Sequence, residues 1–182
     1  MSERLPDRPC GECSVCCTYK PIDAPGFAKA PGLACQHCLP AGGCGIYETR
    51  FEICRTYRCG WKYLDWLPEA IRPDRSGVLI DIVEAQTPGY ELEATLLAIR
   101  DGADFERNPI PDIIASLIEQ DVLVYIARPG PPGMLNAKTP MNERLGPTIR
   151  NRDADRLFVE LIGAARALEK HAWEPFRSKS AG

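Results

Sequence analysis

Several features that mark common protein classes are scarce in this sequence of 182 residues. The chain has 22 lysines and arginines against 25 aspartates and glutamates, which gives a net charge of −3. Because no basic excess exists to displace counterions, the composition argues against a nucleic-acid partner. No apolar run approaches the length of a membrane span, and Met1–Arg8 lacks the apolar stretch of a secretory signal. We therefore predict a cytoplasmic location and no membrane partner.

The residues and motifs of familiar enzymatic sites are scarce as well. Histidine occurs twice, as His37 and His171. The chain contains neither a glycine-rich phosphate loop nor a G-x-S-x-G elbow. Aspartate and glutamate are scattered along the chain, as expected of solvated faces. No catalytic residue can be named from the sequence, so whether the chain is an enzyme stays open.

Cysteine is absent after residue 59, and all nine cysteines precede that point. An odd number of cysteines in a chain without a secretory signal favours metal ligation over a disulfide framework. CxxC turns present two sulfurs to one ion, and this spacing occurs in the run from Cys10 to Cys16 and a second time in the turn Cys35–Cys38. His37 lies inside the second turn and adds a candidate nitrogen ligand. The predicted metal ligands are Cys10, Cys13, Cys16, Cys17, Cys35, His37, Cys38, Cys44, Cys54 and Cys59.

The spacing of the first cysteines leaves the identity of the metal open. Cys10, Cys13 and Cys16 reproduce the first three positions of the bacterial ferredoxin run, which binds an iron–sulfur cluster with a distant fourth ligand. Cys17 follows at once and departs from that run. Adjacent side chains point in different directions, so Cys16 and Cys17 more easily serve two metals, or two corners of one polynuclear site. Eight thiolates would fill two four-ligand sites, with one left over or bridging. Soft sulfur suits zinc and iron equally, and an iron–sulfur cluster is among the predicted cofactors.

The two halves of the chain differ in their apolar content. Residues 1–60 contain ten Leu, Ile, Val, Phe, Met or Trp residues and are dense in proline and glycine. Burial of so little apolar surface does not offset the conformational entropy that the segment loses on folding. Metal ligation would then have to supply the missing stabilisation. We predict an α+β fold in which a metal-stapled, cysteine-rich, irregular N-terminal lobe (residues 1–67) packs on a small sheet with two helices (residues 75–182).

The second lobe carries clear secondary-structure signals. Val78–Val83 and Val122–Ala127 are β-branched apolar runs that predict strands. Leu92–Ile99 is a strand or a helix, and as a strand it would form a hairpin with Val78–Val83. A helix is expected from Pro111 onward. The longest helix is expected after the candidate caps Asn151 and Asp153, with an apolar stripe made of Leu157, Phe158, Leu161, Ile162, Ala165 and Leu168.

Residues beside the cysteines have two interpretations each. Arg50, Arg55 and Arg58 would donate to the sulfurs or form a solvated face. The turn at 42–45 would let backbone N–H groups approach a sulfur or would be an ordinary surface loop. Trp61, Tyr63 and Trp66 would shield the site from solvent or would pack the N-terminal lobe onto the second one, and we favour packing.

Four linked motifs then resemble a known family. They are Cys10–Cys17, Cys35–Cys38, Gly43–Arg50 and Cys54–Trp61, and together they are similar to the YkgJ-type cysteine-cluster family, the CxxCxCC group of zinc- or iron-chelating domains. The resemblance covers about residues 10–67. It implies metal binding by the cysteines and leaves zinc versus iron open. Some relatives look like iron–sulfur proteins, and flagellin lysine methylases carry a similar cluster.

Three function classes follow from these patterns. The first is a metal-binding protein whose cysteine cluster chelates zinc or iron. The second is an iron–sulfur redox or radical-type enzyme. The third is a protein-interaction module in which the metal only stabilises the fold. The one partner that the sequence predicts is the metal ion, and no protein partner is identified.

Overall fold

A computed structural model describes residues 8–100 and 105–178 of the chain, so parts of both predicted lobes (residues 1–7, 101–104 and 179–182) lie outside the described residues. The α-helices are α1 (Val15–Tyr19), α2 (Glu52–Arg55), α3 (Gly60–Tyr63), α4 (Pro73–Ser76), α5 (Ile110–Glu119), α6 (Asn142–Arg150) and α7 (Ala154–Leu168). The strands are β1 (Ile22–Ala24), β2 (Phe27–Lys29), β3 (Arg58–Cys59), β4 (Val78–Glu84), β5 (Leu92–Ala98), β6 (Leu123–Arg128) and β7 (Ala137–Pro140). Short 3₁₀ helices cover Tyr47–Thr49 and Glu69–Ile71. The predicted α+β class is confirmed.

The main sheet has five strands in the order β3-β4-β5-β6-β7. Strands β5 and β6 are parallel and the other neighbours are antiparallel. Strands β4 and β5 pair along their whole length, from Val78 opposite Ala98 to Glu84 opposite Leu92. This hairpin shows that the run beginning at Leu92 is a strand. A separate antiparallel pair, β1 with β2, lies in the N-terminal segment.

The two faces of the sheet are covered by different parts of the chain. On strand β4, Val78, Ile80 and Ile82 face a large core that includes buried residues of α5, α6 and α7. Leu79 points to the opposite face, because successive side chains of a strand alternate. There it packs with Leu97, Ala127 and Val15 of α1. Partly buried Cys13, Cys16 and Cys59 lie against this second cluster. The cysteine-rich segment is therefore a layer on the sheet.

Helix α6 and strand β7 were not expected from the sequence. The α6 sequence contains Gly146 and Pro147 and has a short apolar pattern. What fixes its start is tertiary contact: the Asn142 side chain accepts from the Val124 N–H at 2.7 Å and donates to the Val122 carbonyl oxygen at 2.8 Å. Leu145, one turn further, is fully buried. A third substantial helix therefore joins the two that were predicted.

The cap and stripe of α7 agree with the sequence only in part. The Asp153 carboxylate accepts from the Arg156 N–H at 3.0 Å and caps the helix, whereas Asn151 ends α6. Leu161 and Leu168 are buried, but Phe158 is 38% exposed. Within residues 8–100 and 105–178, no helix is long and apolar enough to cross a membrane.

Candidate metal centre

The nine cysteines are free thiols in the structure, and all are partly buried. A cavity of about 710 Å³ opens between the cysteine-rich segment and the β3–β4 edge of the sheet. It is lined by His37 and by eight of the nine cysteines, Cys10, Cys13, Cys16, Cys17, Cys35, Cys44, Cys54 and Cys59. The ninth, Cys38, lies outside this lining, and burial together with the neighbouring Cys17 raises the pKa of Cys38 to about 11. Folding therefore brings every predicted cysteine ligand to one region.

We assign the thiols to two groups by their neighbours, and the interaction between Cys16 and Cys17 links the two groups. Cys16 interacts with Cys10 and Cys59, Cys59 also interacts with Cys13, and Cys13 interacts with Cys10. These four residues, Cys10, Cys13, Cys16 and Cys59, are called group A. Three of them come from the first loop and α1, and Cys59 comes from strand β3. Group A thus joins the cysteine-rich segment to the sheet.

The second group contains the other five cysteines, Cys17, Cys35, Cys38, Cys44 and Cys54, and is called group B. Cys54 interacts with Cys17, Cys35 and Cys44. Cys38 interacts with Cys17 and Cys35 and forms a backbone bridge with Cys44. The Cys38 N–H also donates to the Cys35 carbonyl oxygen at 2.9 Å, which closes the second CxxC turn.

Cys16 and Cys17 mark the boundary between the two groups. They are consecutive residues of α1, where neighbouring side chains point about 100° apart. A hydrogen bond between the two sulfurs lowers the pKa of Cys17 to about 6 and raises the pKa of Cys16. Burial adds to the rise at Cys16 and opposes the fall at Cys17. The two sulfurs therefore interact with each other, and the pair links group A to group B.

Backbone N–H groups are directed at two sulfurs of group A. Burial raises the pKa of Cys59 to about 11, and hydrogen bonds from the N–H groups of Lys62 and Trp61 oppose that rise. Burial likewise raises the pKa of Cys13, and the Val15 N–H opposes it. Such N–H donors favour the thiolate form, which is the form that binds metal.

Two consecutive glycines bring the loop that carries Cys44 against the first CxxC turn. Gly42 and Gly43 have positive φ angles of 91° and 83°. A Cβ atom on Gly42 would lie 2.3 Å from the Glu12 carbonyl oxygen, and one on Gly43 would lie 2.7 Å from the Gly11 carbonyl oxygen. The glycines therefore permit contact between two cysteine-bearing backbone segments, which is a different role from the two that the sequence suggested.

Gly60 permits a similar close approach between the cysteine-rich segment and the sheet. A Cβ atom there would lie 2.6 Å from Cβ of Ile80 in strand β4. Trp61, the next residue, is 4% exposed and belongs to the main core. The expected packing is thus observed for Trp61, which also lines the cavity, and for Tyr63, whereas Trp66 is 41% exposed.

Cationic side chains outnumber carboxylates on the cavity wall. The cations are Lys20, Arg50, Arg55, Arg58 and Lys62, and the carboxylates are Asp81 and Glu84. Three of the cations lie over tyrosine rings: Arg50 is 3.9 Å from the Tyr47 centroid, and Arg58 and Lys20 are similarly placed over Tyr63 and Tyr57. The Arg50 guanidinium donates to the Tyr47 carbonyl oxygen. The Arg58 guanidinium nitrogen lies 3.8 Å from a carboxylate oxygen of Glu84. The wall is therefore positive in a chain whose net charge is −3.

A polar cluster beside group A was missed by the sequence analysis. Lys20 forms an ion pair with Asp81, which faces Cys59 across the β3–β4 pair. Burial and the Asp81 charge raise the pKa of Tyr57 well above its usual value. Within the part of the chain that the structure describes, the Tyr57 hydroxyl and the second Asp81 oxygen have no hydrogen-bond partner. The available signal was Asp81 itself, a lone charge inside the apolar run Val78–Val83.

His37 lies in an aromatic group at the edge of the cavity. Its ring is tilted against Phe27 and Phe51, with centroid distances of 6.2 and 5.8 Å, and those two phenyl rings stack at 4.4 Å. Its Nε2 atom lies 3.2 Å from the Gln36 amide nitrogen. A metal bound through Nε2 would have to displace that contact, so ligation by His37 stays a prediction.

Comparison with known proteins adds no family assignment, since no family model, curated protein or solved structure matches the chain. Among residues 8–100 and 105–178, no three His, Cys, Asp or Glu side chains stand in an arrangement that could hold a metal ion. The thiols instead interact with one another, as Cys16 does with Cys17 and Cys17 with Cys38. Their chemistry fits a soft metal ion, and ligation would require the sulfurs to exchange these contacts for bonds to the metal.

Proposed function

We propose that this chain is a metal-binding protein whose cysteines chelate zinc or iron at two sites, one held by group A and the other by group B. The observation that carries the proposal is the gathering of eight cysteines around one cavity, with Cys16 and Cys17 as consecutive residues of α1. One tetrahedral ion cannot use nine sulfurs, whereas two sites can use eight or nine. The resemblance to zinc- and iron-chelating domains supports the same conclusion.

The number of sulfurs fits each site. Group A contains four cysteines, which is the number that a closed tetrahedral site or a cubane cluster requires. Group B contains five, so one of its cysteines is spare or bridges to another metal. A cysteine-saturated site leaves no open position for water, and the proposed role is to hold metal rather than to activate a nucleophile.

The charge of the cavity wall supports metal-loaded thiolates. Two zinc ions with four thiolates each carry a total charge of about −4. Five cations and two carboxylates line the cavity, a net of three positive charges in its wall. Nine bare thiolates would exceed this compensation, and nine neutral thiols would leave the net of three positive charges uncompensated within the wall.

An iron–sulfur redox enzyme is the second candidate, and the composition of group A favours it. Cys10, Cys13 and Cys16 have ferredoxin-like spacing, and Cys59 supplies the distant fourth sulfur that such a run requires. When bound, a cluster of this kind supplies one-electron transfer. The adjacent Lys20, Tyr57 and Asp81 would set the charge around it, with Tyr57 retaining its proton.

Metal analysis of the full chain tests both candidates. The protein is purified anaerobically under reducing conditions and analysed for zinc, iron and acid-labile sulfide. Two zinc ions per chain and no visible absorption would support the chelating protein. Sulfide with broad absorption near about 400 nm would support the iron–sulfur candidate. Protein that binds neither metal after reconstitution would refute both.

A further inference from the structure

Lys29 is a buried lysine with an unusual environment. It ends strand β2 and is only 7% exposed. Its ammonium group donates to the carbonyl oxygens of Thr18 at 3.0 Å, Ala30 at 3.1 Å and Leu33 at 3.0 Å. Three donors with three acceptors satisfy an –NH₃⁺ group completely, whereas a neutral amine would have only two hydrogens to donate. The geometry is therefore that of a charged lysine.

The carbonyl oxygens satisfy the hydrogen bonds of Lys29 but do not neutralise its charge. A buried charge needs an opposite charge nearby, because desolvation otherwise makes it costly. No carboxylate of residues 8–100 and 105–178 forms an ion pair with Lys29. Burial lowers the pKa of Lys29, and the nearby cysteines Cys35, Cys17, Cys38 and Cys16 oppose that fall by favouring the charged ammonium.

The three carbonyl groups also place Lys29 beside group B. Thr18 follows Cys17 in α1, and Leu33 precedes Cys35 by two residues. The Cys35 N–H donates to the Cys17 carbonyl oxygen at 3.0 Å, and the Gly32 N–H donates to the Thr18 carbonyl oxygen at 3.0 Å. The ammonium group thus lies where the two segments that carry Cys17 and Cys35 meet.

We propose that Lys29 is the resident countercharge of the group B site, and that it makes this site selective for an anionic metal–thiolate complex. The inference rests on the proposed function, because it requires group B to hold metal. A divalent ion with four or five thiolates carries a charge of about −2 or −3. Lys29 compensates one unit of that charge from inside the protein, where solvent screens little. It acts through the thiolates and is a positioning residue, not a ligand.

In a purely structural role, Lys29 would only hold the two segments together through its hydrogen bonds to their carbonyl oxygens. That structural role requires hydrogen-bond donors, whereas the countercharge role requires a positive charge. Substitutions at Lys29 therefore distinguish the two roles. Lys29→Met removes both donors and charge. Lys29→Gln keeps N–H donors without charge, and Lys29→Arg keeps both. Lys138→Met removes a lysine charge from strand β7, where Lys138 pairs with Glu93, and serves as the control.

The measurement is metal stoichiometry and affinity of the full chain, by native mass spectrometry and competition with a chromophoric zinc chelator under anaerobic reducing conditions. We expect K29M and K29Q to weaken one of two zinc sites by roughly ten- to a hundredfold, the effect of one nearby charge at a protein-like dielectric. K29R should restore most of the affinity, and K138M should match the wild type. Differential alkylation of the cysteines should show that the weakened site is group B, while group A stays protected.

The possible outcomes separate this inference from the proposed function. Wild-type chain that binds no zinc or iron refutes the proposed function itself. If the wild type binds metal at two sites and K29M and K29Q bind it with unchanged affinity, the countercharge role of Lys29 is refuted while the proposed function stands. The same holds if K29Q binds as tightly as K29R, because donors would then suffice, or if the lost site is group A. The comparison of K29Q with K29R keeps the test decisive where K29M does not fold.

Discussion

Replacing Gly60 with alanine tests whether the sheet positions group A. The added Cβ atom would lie 2.6 Å from both Cβ and Cγ2 of Ile80 and 3.3 Å from its carbonyl oxygen. Favourable carbon–carbon contacts lie at about 3.5–4.0 Å, so α3 and β4 must separate by about 1 Å. Ile80 is 2% exposed and lies in a strand that is paired on both sides, so it cannot yield easily.

The expected cost follows from this overlap. Overpacking of a core typically costs about 1–3 kcal/mol. Because Gly60 does not have a positive φ angle, alanine can adopt the same backbone conformation. By restricting the unfolded chain, alanine also raises the free energy of unfolding by about 0.4–1 kcal/mol, which offsets part of the cost. We expect a net loss of about 1–2 kcal/mol in the free energy of unfolding. Because Cys59 is the preceding residue and its sulfur accepts from Trp61 and Lys62, the displacement should also weaken metal binding at group A.

The assay combines chemical denaturation with metal analysis of the same preparation. Gly60→Ala should unfold at lower denaturant concentration and should lose metal from group A before group B. Gly163→Ala is the matched control, since its Cβ would meet only the flexible end of Arg144 at 3.2 Å. That change lies within α7 and should be neutral or stabilising by up to about 1 kcal/mol. A Gly60→Ala chain with wild-type stability and full metal content would refute the reasoning.

Three further predictions concern the metal sites and the fold. Cys16→Ser should lose the metal of group A and Cys17→Ser that of group B, and the double variant should lose the metal of both groups. Elemental analysis that finds the full metal content in either single variant would contradict the two-site arrangement. A strong chelator under reducing conditions should abolish hydrogen-exchange protection in residues 8–67 and leave it intact in helices α5 to α7. Protection that survives throughout, or that is lost throughout, would contradict the prediction that metal stabilises only the N-terminal lobe. Asn142→Ala should cost about 1–3 kcal/mol in denaturant unfolding, because it removes the partners of the Val124 N–H and the Val122 carbonyl oxygen. An unchanged midpoint would show that this side chain does not fix the start of α6.

The sequence by itself determined the fold class, the strongest elements and the candidate ligands. Val78–Val83 and the run beginning at Leu92 are apolar and bounded by turn residues, so local chemistry was enough to place them. The spacing of the cysteines likewise identified the candidate metal-ligating segment and the special position of Cys16 and Cys17, because adjacent side chains cannot easily serve one ion.

Only the tertiary structure decided how these parts combine. Helix α6 depends on contacts between Asn142 and strand β6, residues that are about 20 positions apart in the chain. The assignment of Cys59 to group A depends on the pairing of β3 with β4, and the place of Lys29 beside group B depends on three loop carbonyl groups. Such contacts join residues far apart in sequence, and no local pattern encodes them. Cysteine spacing therefore supplies the candidate ligands, while their arrangement around one cavity and the charge around them arise when the segment folds onto the sheet.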